Sequence, residues 1–330
     1  MAAEVPQMKF SRRKLMHLAM SGLALPIVSG VAMAQSYPGR PVRVVVGLAA
    51  GTSPDIVARL VAQRLSERFD QPFFVENRPG AGTNLATETI VRARPDGYSL
   101  LFVLASNAIN AALYDNLNFE FVRDIAPVAS VGGIPFVMVV NPSFPAKTVP
   151  EFIAYAKANP GKINMASVGN GTAPHVYGEL FREMAGLDMV HVPYRGNPLP
   201  DLLGGQVQVY FCALPASIGF IRAGKLRALA VTTASRLQLL PDIPAAGEFV
   251  PGYEAIAWQG IGAPRNTPAE IVEKLNEQIN ASLADAKIQA SFAEIGAVPM
   301  PMTPSQFGKF IADETKKWTK VVKVANITAD

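Results

Sequence analysis

Cysteine, histidine and charge are all scarce in this sequence, and each scarcity removes a class of function. Its 330 residues hold one cysteine and three histidines, and only 17% are charged. With Cys212 alone no intrachain disulfide can form, so the fold must stand on packing. Cys212 ends the alternating segment Val207-Gln-Val-Tyr-Phe-Cys212 and reads as a buried, unreactive thiol on a strand. There is no Gly-x-Ser-x-Gly elbow, no His-Glu-x-x-His pair and no Cys/His spacing suited to a metal. Gly80-Ala-Gly82 lacks the third glycine of a dinucleotide loop. Catalysis is therefore poorly supported, and neither cofactor nor metal is expected. Of the net charge of +4, Lys9, Arg12, Arg13 and Lys14 against Glu4 carry +3. The balance of about +1 is too small for a nucleic-acid surface, and no basic stripe with interleaved aromatics appears. A hydrophobic content of 49% excludes disorder and favours α/β packing, with length enough for two domains.

The N-terminus reads as an export leader over residues 1–34. Basic Lys9–Lys14 precedes an apolar run from Leu15 to Met33, and Ala32-Met33-Ala34 is a small-x-small cleavage site. Ser21, Gly22, Pro26, Ser29 and Gly30 interrupt the run, which makes it a poor membrane span. Ser11-Arg12-Arg13-Lys14-Leu15-Met16 resembles a twin-arginine signal; the general secretory route would deliver the same periplasmic product.

What the mature chain does contain is a repeated local pattern. Val42–Val46 runs into the glycine-bearing turn Gly47–Thr52 and a helix start at Ser53-Pro54-Asp55. Ile163–Ser167 runs into Gly169-Asn-Gly-Thr172 and a helix start at Ala173-Pro174-His175. Each turn can aim backbone N–H groups and a partial positive charge at a small anion. Two such loops on separate lobes would form a clamp. Around them, strand and helix signals alternate as a parallel sheet with crossover helices requires. Residues 126–140 read as two strands around Gly132-Gly133, and Pro241–Pro251 as a loop without an element. Thr148, Thr267 and Thr303 each open a capping box, the last two ahead of long amphipathic C-terminal helices. Candidate crossings near 138–142 and 253–262 would make a discontinuous first lobe, 36–138 plus 260–330, and a second lobe, 139–259, although the returning segment reads equally as a third subdomain.

Seven segments in register resemble a known family. They are Tyr37-Pro-Gly-Arg-Pro-Val-Arg43, Val75-Glu-Asn-Arg-Pro-Gly-Ala-Gly82, Ala93-Arg-Pro-Asp-Gly-Tyr-Ser-Leu-Leu101 and Ala166-Ser-Val-Gly-Asn-Gly-Thr172, followed by His191-Val-Pro-Tyr-Arg-Gly196, Asp201-Leu-Leu-Gly-Gly-Gln-Val207 and Ala223-Gly-Lys-Leu-Arg-Ala-Leu-Ala230. The chain resembles the periplasmic solute receptors of tripartite tricarboxylate transporters, the Bug or TctC-like family. The resemblance implies an α/β fold like that of periplasmic binding proteins: two lobes on a two-stranded hinge, closing over a small carboxylate as a monomer and delivering it to membrane transporter subunits or to a sensor. Carried over by position, the first lobe would contribute Gly51, Thr52, Ser53, Asp55, Gly82, Thr83, Asn84, Ser106 and Asn107. The second would contribute Ser167, Asn170, Gly171, Thr172, His175, Tyr194 and Arg195.

Three departures from the family pattern bear on ligand choice. Leu48-Ala-Ala-Gly51-Thr52 stands where Pro-Ala-Gly-Gly is usual, the stretch between Gly196 and Asp201 is about two residues short, and Cys212 replaces an aspartate. Individual residues also have structural readings. Asp55 can cap its helix as well as orient water or meet a ligand ammonium. His175 can donate to a carboxylate as a neutral imidazole or simply pack, while His191 reads as structural and Arg195 as surface. A secreted hydrolase with scattered Ser, His and Asp is the enzymatic alternative.

Overall fold

The computed structural model describes residues 37–114 and 116–328; the leader and its Ala32-Met33-Ala34 site lie outside the described residues. Buried β-branched and aliphatic residues build β1 (Val42–Val46), whose N-terminal half of the chain continues through α1 (Ser53–Phe69) and β2 (Phe73–Asn77). A 3-10 turn at Ala81–Thr83 leads into α2 (Asn84–Val91), then β3 (Ser99–Leu104), α3 (Ala105–Leu113) and the single turn α4 (Phe121–Asp124). β4 (Ile125–Val140) follows, then α5 (Val149–Ala158), opened by the Thr148 side chain accepting from the Glu151 N–H. Next come β5 (Ile163–Ser167), α6 (Ala173–Ala185), β6 (Met189–Pro193), α7 (Leu199–Leu203), β7 (Val209–Ala213), α8 (Leu214–Arg222) and β8 (Arg227–Val231). The chain returns along β9 (Ile256–Pro264) and finishes with α9 (Ala269–Leu283), α10 (Ala286–Glu294), the short β10 (Val298–Pro299) and α11 (Pro304–Val324).

The strands lie in the order β2-β1-β3-β9-β4-β7-β5-β6, with β10 and β8 also paired to β4. β1 pairs parallel with β2 and β3, and β5 pairs parallel with β6 and β7, which is the sheet that strand–helix alternation predicts. Among the described residues β4 and β9 are the strands that lie between these two parallel groups. Ile125–Pro135 pairs antiparallel with β9, and from Phe136 to Val140 the same strand pairs with β7 instead. Thr232, fully buried, binds both crossings where the partners change: its N–H donates to Phe136 O at 2.9 Å and its carbonyl accepts from Ala255 N at 2.8 Å.

Three sequence expectations need correction. Residues 125–140 form one continuous strand with register shifts, not two strands around Gly132-Gly133. A Cβ on Gly132 would lie 2.6 Å from the Val298 carbonyl oxygen, and one on Gly133 would lie 2.6 Å from Ile256. Those glycines admit neighbours rather than turn the chain. The Thr267 capping box does not form: its hydroxyl donates to Pro264 O at 2.7 Å and α9 begins at Ala269. The Thr303 box does form, with Gln306 N–H on the threonine hydroxyl at 3.2 Å. The loop 241–251 carries a 3-10 turn at Ala246–Glu248.

A single apolar cluster runs through both halves of the sheet, and a smaller one fills the space under α7 and α8. α11 locks this core with polar contacts. Glu314 accepts from the indole N–H groups of Trp258 on β9 and Trp318 on its own helix, both at 2.9 Å. Trp318 in turn stacks on Tyr177 of α6, with ring centroids 5.1 Å apart. Cys212 is buried in β7, and burial pushes its thiol up to about 12. No helix among the described residues is long and apolar enough to cross a membrane.

Candidate functional site

The two strand–loop–helix units are near copies in backbone and in hydrogen bonding. Thr52 and Thr172 hold the N-cap positions at φ/ψ of −74/157° and −73/159°, each ahead of a helix with proline in its first turn. Each threonine hydroxyl donates back to the loop: Thr52 to Ala49 O at 2.8 Å, Thr172 to Gly169 O at 2.7 Å. In both loops a glycine N–H is held by the side chain four residues on. Gly51 donates to Asp55 Oδ2 at 2.8 Å, and Gly171 donates to His175 Nδ1 at 3.1 Å. These two glycine amides are therefore committed within the fold. The amides of Ser53 and Asp55, and of Ala173 and His175, lie in the first helical turn, where intrahelical acceptors do not exist.

Asp55 is almost fully buried and braces the first loop. Its carboxylate also accepts from Arg59 at 2.9 Å and Asn77 at 2.8 Å. Burial pushes its pKa up, but these hydrogen bonds outweigh burial and hold it below the ordinary carboxylate range. His175 plays the matching part with a neutral ring. It stacks on His191, centroids 3.5 Å apart and planes within 6°, and its Nε2 lies 3.8 Å from Glu179. Burial first, then His191 and Arg182, push His175 down to about 3. His191 is pushed down to about 4 by burial and Arg182, and its Nε2 lies 2.6 Å from the Ser167 hydroxyl. Burial pushes Glu179 up against the pull of Arg182, 2.7 Å away.

Both helix starts border one cavity of about 550 Å³. Pro54 and Leu48 line it from the first unit, and Val168 with Asn170–Pro174 from the second. Gly82, Thr83 and the start of α3 form another wall, and Ala257–Gln259 of β9 another. Of the residues named from sequence, Gly82, Thr83, Ser106, Asn170, Gly171 and Thr172 meet here. Gly51, Thr52, Ser53, Asp55, Asn84 and Asn107 are not among the residues that line it.

Thr83 is held in an unusual pose for a β-branched residue, with φ +86°. Asn107 fixes it: the Asn107 amide donates to Thr83 Oγ1 at 3.0 Å and Thr87 Oγ1 at 2.9 Å, and its oxygen accepts the Leu104 N–H at 2.7 Å. Asn110 similarly donates to Gly82 O at 2.5 Å and Asn84 Oδ1 at 3.0 Å. Ser167 is buried beneath the second loop, exchanging hydrogen bonds with Gly169. Tyr194 and Arg195 do not reach this cavity. The Tyr194 hydroxyl donates to Asp201 at 2.7 Å, and Arg195 is exposed. His175 instead lines a second, polar cavity of about 230 Å³ with Glu179, Arg182, His191 and residues 325–328.

Sequence reading stopped at Asn107 and overlooked the rest of α3 and β9. Ile109, Leu113 and Gln259 all line the main cavity. Ile109 and Leu113 are four apart, the spacing of a helix face, and Gln259 is the polar interruption in the apolar segment Ala255–Ile261. Among the described residues no cluster of three His, Cys, Asp or Glu could hold a metal ion.

Residues 57–327 match the family described as the tripartite tricarboxylate transporter family receptor. BugT of Bordetella pertussis is 35% identical over 311 residues, covering 93% of this chain and 94% of that one. An R. palustris protein solved with adipate superposes with a TM-score of 0.73 at 35% identity, covering 88% of this chain and 99% of its own. MatC from Rhodopseudomonas palustris, with bound malate, gives 0.69 at 31% identity over 87% and 100% of the two chains. With a family match over most of its length, two relatives in fold and sequence, and two helix starts facing one cavity, the chain belongs to the tripartite tricarboxylate transporter receptor family.

Proposed function

We propose that the chain is an exported periplasmic receptor that captures one small carboxylate between two lobes and presents it to transporter membrane subunits. The observation that carries this reading is the pair of matching helix starts, at Ser53 and Ala173, bordering a single cavity. The lobes are 36–138 with 260–330, and 139–259, joined by β4 and β9. Hydroxyls and amides at Thr83, Ser106 and Asn170, with the first-turn N–H groups, bind the carboxylate, while Thr172, whose hydroxyl and N–H both go to Gly169 O, holds its loop in shape. The remaining residues named from sequence beside them, Gly51, Asp55, Asn84, Asn107, Ser167 and His175, hold those groups in position. The ligands of the adipate- and malate-bound relatives support a carboxylate. Binding alone, without turnover, is the activity: a ligand touching both loops favours the closed arrangement by its differential affinity, and the transporter reads that closed surface.

A thermal-shift screen against mono-, di- and tricarboxylates tests this. At least one carboxylate should raise the melting temperature in a concentration-dependent way, and Thr172→Pro should abolish the rise while the unliganded protein still melts cooperatively. A flat response across the panel would reject the reading.

A further inference from the structure

We propose that Gln259 reads the uncharged part of the ligand, and that the preferred ligand is a monocarboxylate whose apolar body carries a hydrogen-bond donor such as a hydroxyl. This rests on the carboxylate-binding reading of the same cavity. Gln259 lies on the returning strand, in register with Leu104 on one side and Gly132 on the other, in the hinge-side wall. Only 2% of it is exposed, and its Oε1 has no hydrogen-bond partner. Buried amide oxygens nearly always have a donor, and one left unpaired on a residue that lines a ligand cavity is an acceptor for the ligand's own N–H or O–H. Its neighbours are already engaged. The Asn110 amide is spent on Gly82 and Asn84, Thr83 receives Asn107, and the Thr172 hydroxyl is spent on Gly169.

The rest of the lining narrows the ligand further. Among the described residues none that lines this cavity has a charged side chain, so no side chain there neutralises a second carboxylate once water is excluded. A second carboxylate facing Gln259 Oε1 would also set acceptor against acceptor. Leu48, Ile109, Leu113, Val168 and Ala257 instead offer an apolar bed. A compact carbon body satisfies that bed, with one anionic end at the helix starts and one neutral donor at Gln259.

Isothermal titration calorimetry with benzoate, the three hydroxybenzoates, adipate and malate tests the proposal on wild type and on Gln259→Leu. Wild type should bind the best hydroxybenzoate isomer at least tenfold tighter than benzoate, and both diacids more weakly than that isomer. Gln259→Leu should reduce the hydroxyl preference to within twofold. The wild-type ratios stand as a test even if the variant does not fold. Tighter binding of adipate or malate than of every monocarboxylate overturns the proposal and leaves the receptor reading intact, as does a hydroxyl preference that survives in Gln259→Leu. Binding of no carboxylate by folded wild type overturns both.

Discussion

Replacing Gly171 with alanine tests whether the second loop works as a ligand contact or only as a well-capped junction. Gly171 has φ +68°, a region that costs an ordinary L-residue about 1–2 kcal/mol. A Cβ there would also lie 2.7 Å from Cδ1 of Leu113, on the opposite side of the cavity. Leu113 can rotate its methyl away, so the clash is cheap in the unliganded protein but pushes bulk into the cleft that closure must fill. Gly186, at the end of α6, is the matched control: φ +62° and no atom within 4 Å of its added Cβ. Both variants should lose about 1–2 kcal/mol in denaturant unfolding from backbone strain alone. Only Gly171→Ala should also weaken binding of the best carboxylate from the thermal-shift panel. If a like strain falls on the ligand-holding conformation, the loss is roughly tenfold, since about 1.4 kcal/mol is one decade. Calorimetry on the three proteins decides it. Equal affinity in wild type and Gly171→Ala, alongside matched stability losses in the two variants, would refute the reasoning.

The stacked histidines predict a pH response of definite sign. Folded His175 takes a proton only near pH 3 against 6.5 for an ordinary imidazole, so the unfolded chain binds more protons across that window and stability falls as pH drops through it. Its share is a slope of about 1.4 kcal/mol per pH unit. His191 adds in the same direction between 6.5 and about 4, reduced by solvent screening, and Glu179 opposes, because burial makes its protonated form the favoured one. Melting curves of wild type and His175→Asn from pH 7 to 4 check this: the variant's dependence should be shallower, and coincident slopes would remove His175 from the account. At the core, Glu314→Ala leaves the Trp258 and Trp318 N–H groups buried without an acceptor and should cost about 2–4 kcal/mol, with Glu314→Gln losing distinctly less. Urea unfolding reads the difference; a loss below 1 kcal/mol for the alanine variant would show that solvent reaches the indoles.

The loops were legible because their chemistry is local. Proline in the first helical turn, with glycine shortly before it, marks a helix start wherever it occurs, and both helix starts formed where that pattern lies. What the loops hold onto was less visible, since it depends on side chains four residues along a helix not yet folded. Asp55 was legible as a cap; His175 as an acceptor for Gly171 requires knowing that its ring stacks on His191, sixteen residues downstream on another element. Gly132-Gly133 misled for the converse reason: glycine marks a turn in sequence but marks close approach of β10 and Ile256 in the sheet. Gln259 escaped because its meaning lies in the absence of a partner, and only the packed neighbourhood defines that.

The committed glycine amides change how the clamp must work. If Gly51 and Gly171 pointed their N–H groups at the ligand, each loop would be free to rearrange around whatever arrived. Tied instead to Asp55 and His175, the loops hold their shape before any ligand enters, and the ordering cost of binding is already met in folding. In the proposed receptor, binding free energy is then available to shift the two lobes about β4 and β9, which a ligand gripping one loop alone could not do. The two ties are also unequal. Asp55 is an anion paired with Arg59, and its bond to Gly51 survives mild acid. His175 accepts from Gly171 only while Nδ1 is bare, so protonation turns acceptor into donor and breaks that tie alone. Loss of ligand affinity in acid should therefore begin at the second loop, with Gly171, while the first remains intact.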